Sequence, residues 1–60
     1  MKRNDLIRKL ARQGCLLKRE GRSHSLWLNQ KTGNVETIPR HREIPDILAK
    51  KIYRKLTALD

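Results

Sequence analysis

Apolar positions along this chain follow two rhythms, and the switches between them divide it into five elements. Leu6, Ile7, Leu10 and Ala11 recur at helical spacing, while Lys2, Arg3, Arg8, Lys9 and Arg12 take the other side. Asn4 or Asp5 suits the N-cap and Gly14 the stop, which predicts a first helix over residues 4–13. Cys15-Leu16-Leu17 followed by Lys18-Arg19-Glu20 reads as a strand that starts buried and ends in solvent. Beyond the turn residues Gly21-Arg22-Ser23, the segment from His24 to Asn29 alternates as a second strand. That alternation sets Leu26 and Leu28 on one face and Trp27 on the other. A hairpin loop from Gln30 to Asn34 leads into a third strand, from Val35 to Pro39, which the proline ends. Pro45 and Asp46 fit the first turn of a last helix, with Ile47, Leu48, Ile52, Leu56 and Leu59 as its stripe.

The order is α-β-β-β-α, an α+β arrangement read as one domain over residues 1–60. It predicts a three-stranded antiparallel sheet with both helices packed on one face, because two apolar stripes need a shared surface to cover them. The opposite face is then open, and the expectation is that it carries Trp27.

Composition narrows the chemistry. Sixty residues with a formal net charge of +9 leave a small core and a strong self-repulsion, which an anionic partner relieves. A single cysteine, Cys15, forms no intrachain disulfide, and its apolar neighbours make it a small buried hydrophobe rather than a nucleophile. One Cys and two His without CxxC or HxxxH spacing make a poor zinc set, so no metal or other cofactor is expected. The glycines stand singly, so there is no phosphate-cradling loop. No apolar run approaches a membrane span, and Met1-Lys2-Arg3 lacks a following apolar segment, so the expected location is the cytoplasm.

Several local features in fixed order then carry a resemblance. They are the opening helix closing on Gly14, the Gly21-x-x-His24 turn, the Asn29-x-x-Thr32-Gly33 hairpin, and Ile38-Pro39-Arg40-His41-Arg42-Glu43-Ile44 leading to the last helix. In this order and spacing the chain resembles HicA-type toxins, the mRNA interferases of HicA–HicB toxin–antitoxin systems, over nearly its whole length. The resemblance implies a fold like the double-stranded RNA-binding domain and metal-independent endoribonuclease activity on mRNA. It also implies a HicB-like antitoxin as neutralising partner, with the free toxin a monomer and the complex a hetero-oligomer. The family's activity-linked histidine falls on His24. Many relatives carry glycine directly before the Ser-His pair, where this chain has Arg22.

The residues support a compact ribonuclease site on their own terms. RNA supplies its own nucleophile, the ribose 2′-hydroxyl, and an imidazole such as His24 is a natural base for it near neutral pH. Lys18, Arg22 and Arg40 are the cations expected to bind phosphate around His24. The plainer alternative for His24 is an exposed turn histidine with no task. His41 is either a second acid or base or, as the reading favoured here, part of a basic loop touching phosphate. Ser23 either bonds phosphate and orients His24 or serves only the local backbone. Trp27 is assigned to an interface, with the antitoxin as its occupant; a stacking platform and a core-edge role are the alternatives. The helical lysines and arginines read as solvated faces rather than individual contacts, and collectively they supply salt-sensitive attraction to phosphate. The rival to catalysis is a non-catalytic RNA-binding module on the same fold.

Overall fold

The structure is a computed structural model that describes residues 1–59. Its elements are α1 (Arg3–Arg12), β1 (Cys15–Glu20), β2 (His24–Asn29), β3 (Val35–Pro39) and α2 (Asp46–Thr57). The α-β-β-β-α order and the strand limits agree with the sequence pattern. The strands form an antiparallel meander with β2 in the centre. Both edge strands are short, and the β1–β2 register shifts between Leu17 and Arg19, which leaves Lys18 without a partner across the ladder. A charged, irregular edge of this kind discourages pairing with other chains.

The start of α1 departs from expectation. Lys2 occupies the N-cap, and neither Asn4 nor Asp5 caps the helix. The first turn is tied to a distant segment instead: the Arg3 N–H donates to Arg42 O at 2.9 Å and the Ile44 N–H donates to Met1 O at 2.8 Å. A tertiary partner therefore satisfies an orphan donor that a local cap normally takes. At the other end Gly14 adopts φ +89°, the left-handed conformation that lets the chain turn directly into β1.

The core consists of Leu6 and Leu10 from α1, Cys15, Trp27 and Ile38 from the sheet, Ile44, and Ala49, Ile52 and Leu56 from α2. Two expected members of the α2 stripe lie outside it. Ile47 is 85% exposed in the first turn, and Leu59 is 84% exposed beyond the helix end. Ile44, ahead of the helix, fills the core instead, and Ala49 lets α2 approach the sheet closely.

The phase of β2 is the main correction. The face of β2 turned to the helices carries Ser25, Trp27 and Asn29, all buried, while Leu26 and Leu28 lie half-buried on the open face. Trp27 is thus a core residue at 9% exposure, not an open-face anchor, and the interface assigned to it loses its basis. Its bulk outweighs two leucines for the covered position, provided that Ser25 and Asn29 find partners there. They do: Asn29 Nδ2 donates to Leu56 O at 2.8 Å and Asn29 Oδ1 accepts from the Lys31 N–H at 2.9 Å. Ser25 is bonded on both sides, as described below.

The indole Nε1 of Trp27 is buried and has no partner among the described residues. Trp27 therefore acts through volume alone. Trp27→Ala is expected to cost about 3–5 kcal/mol in urea unfolding. Trp27→Phe should cost less than half of that, because no hydrogen bond is lost. Equal losses would mean that Nε1 has a partner.

Candidate functional site

Glu20, the last residue of β1, is followed by a tight turn whose shape depends on one close approach. The Gly21 N–H donates to His24 O at 2.9 Å, and a Cβ on Gly21 would stand 2.6 Å from that same oxygen. Only glycine lets the two strands close so near the histidine.

Arg40, the first residue past β3, holds this turn from the side. Its main-chain N–H donates to Ser23 O at 3.1 Å, and its Nη1 donates to Gly21 O at 3.1 Å. Its Nε lies 3.3 Å from Glu20 Oε1. The Glu20 carboxylate also accepts the Ser25 hydroxyl at 2.8 Å, and Ser25 Oγ accepts from Arg3 Nη2 at 2.8 Å. Arg3 completes the chain by donating Nε to Pro39 O at 2.9 Å. Four elements and the turn are thus joined through one run of polar contacts, most of them charge-assisted and so stronger than neutral ones.

His24 itself is exposed, and its Nδ1 lies 3.1 Å from Ser23 Oγ. That contact is exposed, and Nε2 has no partner among the described residues. His24 also lines a groove of about 200 Å³ running along β3 and α2, with Thr37, Pro39 and Lys51 among its walls. Glu36 and Lys55, 3.5 Å apart, form an ion pair in the same groove.

Of the residues expected at the site, Ser23, His24 and Arg40 are brought together. Arg22 is exposed within the same turn, and its side chain has no ion pair among the described residues. Lys18 and His41 are exposed on neighbouring segments, and no hydrogen bond among the described residues joins either to the turn. Glu20, Ser25, Arg3 and Lys51 were not anticipated there. The signal available for Glu20 was its rarity: in a chain with six acids against fifteen Lys and Arg, a carboxylate directly before a glycine turn has a specific cation to meet.

Among the described residues no group of three or more His, Cys, Asp or Glu is placed to hold a metal ion, and no helix is long and apolar enough to cross a membrane. Cys15 is buried, and burial pushes its thiol up, away from the reactive thiolate.

The sequence model of one protein family, described as HicA toxin of bacterial toxin-antitoxin, matches residues 3–57. No curated protein and no solved structure matches the chain.

Gly21→Ala tests the geometry of the turn. It is expected to cost at least about 1 kcal/mol, because the strand backbone must give way. Amide shifts should be confined to Glu20–Ser25 and Arg40 in a two-dimensional NMR spectrum. A spectrum unchanged around Arg40 would contradict the coupling.

Proposed function

The chain belongs to the HicA toxin family of bacterial toxin–antitoxin systems, and from that premise we propose that it is an endoribonuclease with His24 as its general base. The observation that carries this reading is the His24 turn: an exposed imidazole in contact with Ser23 through Nδ1, with no partner at Nε2 among the described residues, on a turn that Arg40 clamps. In the tautomer whose Nδ1–H donates to Ser23 Oγ, Nε2 carries the lone pair that accepts a proton.

In the proposed reaction Nε2 takes the proton of a ribose 2′-hydroxyl. The 2′-oxygen attacks the adjacent phosphorus, the bond from phosphorus to the 5′-oxygen breaks, and the leaving oxygen takes up a proton. The products are a 2′,3′-cyclic phosphate and a 5′-hydroxyl end. Arg40 and Arg22 stabilise the charge that builds on the phosphoryl oxygens, and Lys18 and His41 hold flanking phosphates. Lys51 faces the groove that His24 lines and adds a further positive charge on the α2 side. Arg40 is held through the Glu20 carboxylate and Gly21 O, so it meets a phosphate without first having to be ordered. No cofactor enters the scheme. The substrate is mRNA, which sets the site of action in the cytoplasm. A HicB-like antitoxin neutralises the free, monomeric toxin in a hetero-oligomer by covering the turn and its basic surroundings.

The second reading, a non-catalytic RNA-binding module, shares the charge and the fold but makes no use of an ordered imidazole. Cleavage of a labelled single-stranded RNA by the parent chain and by His24→Ala separates the two. The expected result is cyclic-phosphate ends from the parent and a loss of about 10²–10⁴-fold in rate for His24→Ala. Equal rates would remove His24 from the chemistry, and no cleavage by either chain would favour the binding module.

A further inference from the structure

A second basic feature lies away from the groove that His24 lines. The first turn of α1 and the connection after β3 enclose an open cleft of about 800 Å³. Its walls carry five cations, Lys2, Arg3, Arg8, Arg40 and Arg42, against two carboxylates, Asp5 and Glu43. A volume of this order lies in the range of ligand sites, but the lining is polar and charged where small-molecule sites are mostly apolar. It suits an extended anion.

The state of each cation sharpens the picture. Arg3 is committed to Pro39 O and Ser25 Oγ, and Arg8 is paired with Asp5 at 2.9 Å. The side chains of Lys2 and Arg42 have no hydrogen bond or ion pair among the described residues, although the backbones on which they stand are fixed. Lys2 pairs with Glu43 in an isolated bridge, and Arg42 O accepts from the Arg3 N–H. Two unspent charges therefore line one cleft from neighbouring, backbone-paired segments. Arg40 belongs to the cleft and, through Gly21 O and Ser23 O, to the His24 turn.

We propose that this cleft binds the sugar–phosphate backbone of single-stranded RNA next to the cleaved bond, with Lys2 and Arg42 as its phosphate ligands and Arg40 as the link to His24. The inference rests on RNA being the substrate and extends that reading from the bond that is cut to the strand that flanks it. Such contacts are indifferent to base sequence and weaken with salt.

The test uses a labelled 2′-O-methyl RNA oligonucleotide, which binds but lacks the attacking hydroxyl, with anisotropy read from 50 to 200 mM salt. Lys2→Gln combined with Arg42→Gln is expected to weaken binding about tenfold at the lower salt. It should flatten the logarithmic salt dependence by roughly 1.4, about 0.7 for each lost phosphate contact on a single strand. Arg19→Gln combined with Lys31→Gln removes the same formal charge from exposed positions outside both the cleft and the helices and should bind within about twofold of the parent. Circular dichroism confirms that both variants are folded. Parent-like affinity and slope in the cleft variant, equal losses in the control, or no RNA binding by the parent would each overturn the proposal. If unmodified RNA is bound through the cleft but never cut, the cleft stands and the endonuclease reading falls.

Discussion

The structure hangs on the buried hydroxyl of Ser25. Ser25 is fully inaccessible, and its oxygen accepts from the Arg3 guanidinium while donating to the Glu20 carboxylate. A hydroxyl left unpaired in that position would cost about 1–3 kcal/mol, a large share of what a domain this small has available. Paired as it is, it lets β2 turn Trp27 inward, draws α1 onto the sheet through Arg3, and fixes Glu20 where it meets Arg40. The same contacts that close the core therefore shape the turn that carries His24.

This dependence explains what could be read from the sequence. The five elements followed from apolar spacing together with the glycine, proline and cap residues that bound them. The identity of the covered sheet face did not. Leu26 and Leu28 form one period-two set on β2, and Ser25, Trp27 and Asn29 form the other. Choosing between them requires partners far along the chain: Arg3 for Ser25, and Leu56 O for Asn29. A local pattern of apolar residues favours the leucines because it cannot see those bonds. Ile47 and Leu59 failed for a simpler reason, as one lies in the outward-facing first turn and the other beyond the helix end.

The candidate site divides along the same line. His24, Ser23 and Arg22 stand next to one another in sequence, so the turn was legible. Arg40 was read as a phosphate ligand, yet it is also a structural clamp on that turn, through its own backbone N–H and its guanidinium. Arg3 read as one more solvated cation on a basic helix. The net charge of +9 is correspondingly uneven in its use. Asp5, Glu20 and Glu36 each engage a particular cation, while five cations against two carboxylates line the cleft beside α1. The open face of the sheet, with Leu16, Leu26, Leu28 and Val35, keeps an apolar strip apart from that surface.

If packing and the proposed chemistry share one polar junction, a change in the junction that spares the fold must reach the proposed reaction. Glu20→Gln is the sparest such change, since the amide retains the shape and an acceptor for Ser25 but withdraws the charge facing Arg40. The decisive measurement is the single-turnover RNA cleavage rate of Glu20→Gln beside the parent, with unfolding midpoints recorded for both. A folded variant that cleaves about tenfold more slowly or worse is predicted, because small displacements of catalytic groups carry rate penalties of that order. A folded Glu20→Gln that cleaves at the parent rate would contradict the claim that the junction sets the geometry of the His24 turn.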